Sequence, residues 1–217
     1  MKTEHFSTWI ISLLMIIAST ASGQESDLAK KSDEETIGIW QFNASLYQYI
    51  VPENPNFLVG VIMADQEMTH LEVRYNYEAY RSASFHYGPN FQVEGDVKFD
   101  LTPMIGVYFG ASAGATFGYR LALEYGRFGL YSEGEYALPR LKTEENYFYN
   151  WSELSYSATE WLRAGLVAQR TRTYQTGLDL QRGLLAGVTK GDFEVTVYAF
   201  NMGWTTPTWV FNAAYSF

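Results

Sequence analysis

Cysteine is absent from this 217-residue chain, and only 6 prolines occur. Without cysteine there is no disulfide framework, no thiolate metal site and no sulfur to carry a lipoprotein's acyl anchor. The composition suits an oxidising compartment, where a free thiol is a liability. Basic residues are also few, 15 Lys+Arg against 24 Asp+Glu, for a net charge of -9 and a pI near 4.8. That balance disfavours nucleic acid as a partner, because binding it needs a basic face to neutralise phosphates. Long apolar runs are missing too: Trp9 to Ala18 covers about ten residues, short of the roughly twenty that a helix needs to cross a bilayer.

Aromatic residues, by contrast, make up 17% of the chain, with 17 Tyr, 14 Phe and 6 Trp. In the C-terminal stretch, Trp209, Phe211, Ala213, Tyr215 and Phe217 fall on one face of a strand, and Thr208, Val210, Asn212, Ala214 and Ser216 on the other. The period of two makes this a strand. One apolar face towards lipid and one small, polar face towards a lumen is the pattern of a transmembrane β-strand. A mean hydropathy of -0.17 does not contradict this, because such a barrel exposes apolar side chains only at alternate positions.

At these residues the chain resembles the Gram-negative outer-membrane β-barrels, whose last strand closes with alternating apolar residues and a terminal Phe. The resemblance is to an architectural class and singles out no member. It implies that Phe211, Ala213, Tyr215 and Phe217 are the signal read by the barrel assembly machinery. It also implies that the chain sits in the cell outer membrane, among outer-membrane lipid and lipopolysaccharide.

Three segments follow in chain order. Residues 1–23 read as a secretory signal peptide, with Lys2, the apolar run and then Ala21-Ser22-Gly23, and cleavage is expected before Gln24. Residues 24–36 are charged and nearly free of large apolar side chains, so a flexible periplasmic leader is expected. Residues 37–217 alternate in short segments separated by turn residues. They read as an all-β, single transmembrane antiparallel up-and-down β-barrel of about 12 strands, an even number as a bacterial single-chain barrel requires. The expected strands are 37–50, 55–65, 70–79, 82–92, 96–109, 115–125, 128–138, 146–157, 161–172, 178–190, 192–201 and 207–217.

Two turns fix register. Gly126-Arg127 and Gly191-Asp192 carry Gly at the first central position, as a type II′ two-residue hairpin turn demands. Counting outward sets Tyr125 opposite Phe128 and Arg120 opposite Glu133, so a salt bridge inside the lumen is predicted. The same count sets Lys190 opposite Phe193, Thr189 opposite Glu194 and Leu185 opposite Tyr198. With a periplasmic C-terminus these tight turns are periplasmic and the longer connections lie outside.

Parity then sorts the charges. Glu72, Arg74, Asn76 and Glu78 face inward from the third strand, opposite Leu71, Val73, Tyr75 and Tyr77. Lys98, Asp100, Arg120, Glu124, Glu133, Glu135, Glu153, Arg163, Asp179 and Glu194 add to a lumen lining of mixed sign with an acidic excess, and His86 joins it from the fourth strand. An Arg or Lys facing lipid near the midplane costs about 2–4 kcal/mol, so inward placement is favoured. Trp40, Tyr47, Tyr49, Tyr147, Trp161, Trp204 and Trp209 lie near strand ends and read as interface girdles, ahead of an aromatic sugar-binding track in the pore.

Candidate chemistry is thin. Ser84 and His86 share a face, but residues two apart on a strand stand nearly 7 Å apart, beyond easy hydrogen-bond reach. His70 reads as a surface or interface residue. Glu133 and Glu135 could hold Ca²⁺ or do acid/base work, yet Arg120 opposite Glu133 favours charge compensation. Gly106, Gly110, Gly114 and Gly118 read as strand, turn and strand with Gly relieving crowding. The leading expectation is a small passive channel for polar solutes or cations that needs no cofactor. A closed structural or surface-contact barrel is the alternative, and a lumen-located hydrolase or acyltransferase around Ser84/His86 ranks third.

Overall fold

The computed structural model describes residues 38–141, 146–173 and 179–217, without the side chains at 171–173 and 179. The expected signal peptide and leader therefore lie outside the described residues. Thirteen strands follow in chain order: β1 (Gln41–Ile50), β2 (Phe57–Gln66), β3 (Thr69–Tyr75), β4 (Ser82–Pro89), β5 (Phe91–Val93), β6 (Val97–Gly110), β7 (Gly114–Tyr125), β8 (Phe128–Pro139), β9 (Tyr147–Ser157), β10 (Leu162–Thr173), β11 (Asp179–Lys190), β12 (Phe193–Phe200) and β13 (Thr208–Ser216). Every pairing is antiparallel, and β1 pairs with β13 from Asn43↔Ser216 to Ile50↔Trp209, closing the sheet into a barrel. Both β4 and β5 pair with β6, so they share one position in the wall and the barrel has twelve staves.

The break in that stave has a cause in the sequence. Tyr87 pairs with Ile105 and Phe91 with Leu101, so the register runs unbroken and sets Pro89 opposite Pro103. Neither proline has an N–H to give, and the ladder lapses there.

Polarity is inverted relative to a soluble protein. On β3, Glu72 is 1% exposed while its neighbour Val73 is 47% exposed. On β13, Val210 and Asn212 are buried and Phe211 and Tyr215 are exposed, with Phe217 beyond them exposed and stacked on Phe42. Ala213 shares their parity. Apolar residues face out and polar ones in, as an environment of lipid outside and lumen inside dictates.

The two Gly turns hold the predicted register. Gly126 and Gly191 both have φ +59, and Arg120↔Glu133, Thr189↔Glu194 and Leu185↔Tyr198 pair directly. No atom lies within 4 Å of a Cβ built on Gly126. Gly126→Ala is therefore expected to cost only the left-handed backbone penalty, about 1–2 kcal/mol in urea unfolding, without a steric surcharge.

The third strand is shorter than the alternation suggests. It stops at Tyr75, because Asn76 (φ 59) and Arg81 (φ 60) take left-handed conformations that bracket a turn. Asn76 braces it, with Nδ2 donating to the Leu58 carbonyl at 2.9 Å and Oδ1 accepting from the Arg81 N–H at 2.6 Å. From this turn, residues 76–81, Tyr77 points inward rather than outward and Glu78 enters the lumen from the turn instead of from a strand, while Tyr80 stays exposed.

Candidate functional site

The lumen divides into two zones along its axis. Towards the end that carries Gly126, Gly191 and Phe217 lies a chamber of about 710 Å³. Asn43, Ser216 and Asp192 line its mouth, and Trp151, Tyr49 and Tyr77 form its far wall. Eight carboxylates border it (Asp65, Glu72, Asp100, Glu124, Glu133, Glu153, Asp192, Glu194) against two guanidinium groups, Arg120 and Arg163.

Beyond the chamber the lumen is filled, and two sectors of the wall fill it differently. From β2–β8 comes an ionic network centred on Arg74. Its Nε donates to Glu72 at 2.6 Å and its Nη1 to Glu135 at 2.6 Å, with Glu78 at 3.7 Å. His86 Nε2 lies 2.8 Å from Thr116 Oγ1 and 3.3 Å from Glu135. Gly106 makes that approach feasible: it stands between His86 and Thr116 in the register, and a Cβ there would meet the imidazole at 2.3 Å. Glu78 accepts from Ser84 Oγ at 2.6 Å. At the network's edge Arg120 reaches Glu72 (3.6 Å) and Glu133 (3.7 Å), so the predicted cross-strand pair is present, though longer than the Arg74 contacts.

From β9–β13 comes an apolar cluster: Trp151, Val167, Leu185, Tyr198, Phe200 and Val210. Phe200 and Val210 are 0% exposed although both point into the barrel. In the register Gly165 stands opposite Leu185, Gly183 opposite Phe200 and Gly187 opposite Thr196, where a Cβ would meet the Thr196 hydroxyl at 2.8 Å. Glu153 anchors the cluster's polar rim, accepting from Trp151 Nε1 and Tyr198 Oη at 2.8 Å each and from Arg163 at 2.9 Å. Arg163 also holds Glu194 at 2.7 Å.

The inward turn joins the sectors. Tyr77 packs edge-on against Tyr149 (5.5 Å), lies under the Arg74 guanidinium (4.2 Å) and donates its hydroxyl to Glu133 at 2.6 Å. The two sectors bury side chains across this zone, with Glu72, His86, Glu135, Phe200 and Val210 each at most 2% exposed.

Set against the expected lumen residues, Glu72, Arg74, Glu78, His86 and Glu135 make up the network, Arg120, Glu133, Glu153, Arg163 and Glu194 border the chamber, and Asp100 faces its mouth. Lys98 and Glu124 pair with each other at 3.4 Å on the rim, both largely exposed. The side chain of Asp179 lies outside the described residues. Three expected girdle residues are corrected: Tyr47 and Tyr49 face the chamber, and Tyr147 turns inward to Glu135 at 3.3 Å, because each sits on the lumen parity of its strand. Trp40, Trp161, Trp204 and Trp209 are exposed. His70 is corrected as well. It is 2% exposed, clasped between Asp65 (2.7 Å) and Glu72 (3.1 Å). Sequence reading missed Tyr77, Thr116, Tyr131 and Asp65 as partners; the period-two parity of Asp65, Thr116 and Tyr131 carried the signal.

Glu78, His86 and Glu135 bring ligand atoms within 4.8 Å of one another, the one such group among the described residues. Arg74 already supplies a cation at 2.6 Å from Glu135, and a metal ion would stand beside a guanidinium, so the group fits an ion-pair network better than a metal site. Ser84 and His86 are 1% and 0% exposed and their polar contacts run to Glu78, Thr116 and Glu135, not to a space that could admit substrate.

No family model matches the chain, and no curated protein matches it in sequence. Solved structures do match in fold. A KdgM porin aligns over 81% of this chain and 99% of its own with a TM-score of 0.54 at 10% identity. The KdgM porin in complex with disordered oligogalacturonate aligns over 82% and 99% with a TM-score of 0.55, again at 10% identity. The fold is thus that of the outer-membrane porin-type β-barrels.

Proposed function

We propose that the chain is an outer-membrane channel for small polar solutes with a preference for cations, its Phe217 end in the periplasm, and that turn 76–81 is its gate. The chamber carries this reading: a 710 Å³ polar space with eight carboxylates against two guanidinium groups has a use in passing solutes and none in packing. The same balance disfavours an acidic oligosaccharide such as the oligogalacturonate named for one similar structure. A second reading, a closed structural barrel, draws support from the Arg74 network that bridges the lumen. Hydrolysis at Ser84/His86 has no support from the site, since both side chains are sealed.

Single-channel recording of the refolded barrel in a planar bilayer separates the two. The wild type is expected to be mostly closed, with brief cation-selective openings. Tyr77→Ala removes a hydrogen bond to a charged acceptor, worth about 1.5–3 kcal/mol, and should raise the open-to-closed ratio by about ten- to a hundredfold. Silence from both proteins, each verified as folded, overturns the channel reading in favour of the closed barrel. Glu124→Gln combined with Asp192→Asn, both at the exposed mouth, should reduce the reversal potential in a salt gradient; an unchanged potential refutes the assigned selectivity.

A further inference from the structure

The outer wall carries its own polar site. Every acidic side chain described on a strand faces the lumen, whereas Arg170 and Arg182 point outward from adjacent strands near the end opposite Phe217. Each lies three residues from its strand end, about 10 Å along the strand and less in depth because strands tilt, which is headgroup level. At headgroup level an outward guanidinium meets lipid phosphates rather than hydrocarbon, so an anionic headgroup is its natural partner.

Beside the arginines the wall is hollowed. Leu130, Leu154, Leu166 and Leu184 form one in-register row across four strands. The next row towards the arginines is Ser132, Ser152, Ala168 and Arg182, all short until the last. The step from leucine to small residues opens a groove of about 580 Å³, lined by Leu154, Leu166, Leu184 and Ala168 and capped by Arg182 with its guanidinium 5.9 Å over the Trp204 ring. Alongside it, still on the outward face, Asn150 Nδ2 donates to Tyr119 Oη (3.0 Å) and Ser132 Oγ (3.2 Å), and Ser132 and Ser152 share a hydrogen bond at 3.0 Å. Such a knot is unusual on a wall facing hydrocarbon, where polar groups are costly.

We propose that this groove binds one molecule of lipid A, the outer-leaflet glycolipid, with its phosphates on Arg170 and Arg182, its sugar beside the Asn150 knot and an acyl chain on the leucine row. Charge complementarity and depth favour it over a neutral phospholipid: two adjacent cations suit a diphosphorylated headgroup, and an apolar trough beneath them suits its chains. The assignment rests on the orientation proposed above, with the Phe217 end in the periplasm.

Native mass spectrometry of the detergent-solubilised full barrel tests it, using diphosphorylated lipid A, the same lipid stripped of phosphate, and phosphatidylethanolamine. The wild type should retain one diphosphorylated lipid A. Arg170→Gln with Arg182→Gln should weaken retention by at least about tenfold, the loss expected for charged hydrogen bonds. Lys190→Gln, an outward cation at the other end, should change nothing. Ala168→Trp, which fills the groove and leaves both arginines, should weaken binding as well. Equal retention of the phosphate-free lipid or phosphatidylethanolamine, or undiminished binding by the double variant, overturns the site. The channel reading has its own readout in conductance, so either can fail alone.

Discussion

Arg74→Leu should lower the unfolding free energy of the barrel by about 3–5 kcal/mol, the loss expected when one partner of a buried ion pair is removed. Arg74 is the cation that three buried carboxylates share, Glu72, Glu135 and Glu78, at 2.6, 2.6 and 3.7 Å. Its side chain is 3% exposed and theirs are 0–2% exposed, so no water takes its place. Removing it strands negative charge inside a closed wall. The design of the test follows from that cause. Adding Glu72→Gln and Glu135→Gln to the same chain removes the stranded charge, and the triple variant should recover a large part of the loss. Reversible urea unfolding in lipid vesicles, followed by tryptophan fluorescence, reads both. A single-variant loss under about 1 kcal/mol, or a triple variant no better than the single, would show that the lumen is hydrated at this level and refute the sealed network.

Phe200→Ala should have an effect of similar size from a different cause. Phe200 points into the barrel, is 0% exposed and packs edge-on against Trp151 with centroids 5.3 Å apart. Truncating a buried phenylalanine costs about 3–5 kcal/mol through lost transfer free energy and the cavity left behind. Here the cavity opens in the filled half of the lumen, above the chamber. The same variant should therefore conduct more readily than the wild type in the planar bilayer, whereas Arg74→Leu leaves this sector packed. If Phe200→Ala is neutral in urea unfolding, the apolar sector is not a packed core and the division of the lumen into two zones is wrong.

Much of this was legible in the sequence because membrane barrels obey local rules. A period of two is written into each strand, and Gly126 and Gly191 fix register by turn geometry alone, which is why Arg120↔Glu133 and Leu185↔Tyr198 could be read by counting. Counting failed where the pattern outlasts the strand. Glu72, Arg74, Asn76 and Glu78 alternate without interruption, yet Asn76 leaves the β region and the alternation lapses after it, so that Tyr77 and Glu78 both lie inside. Aromatic residues near strand ends misled for another reason. Tyr47, Tyr49 and Tyr147 meet the same local requirement whether they face headgroups or a lumen, and only parity against a known register separates the two. The filled half was illegible in principle, since its defining contact, Arg74 to Glu135, joins residues 61 apart across an interior that no local pattern describes.

The seam between β1 and β13 has a consequence for how the chain reaches this state. All other neighbours in the wall are consecutive in sequence or, at the β4–β6 contact, separated only by the three-residue β5; the seam joins residues such as Asn43 and Ser216, 173 apart. Hairpins form from local chain, whereas closing so long a loop carries the largest entropic cost and comes last. Until it does, two strand edges are bare, and hydrocarbon offers them no hydrogen bonds. The growing sheet therefore needs its edges covered as it enters the bilayer, and the rate of insertion should be governed by that single closure event rather than by the twelve local pairings that precede it in order along the chain.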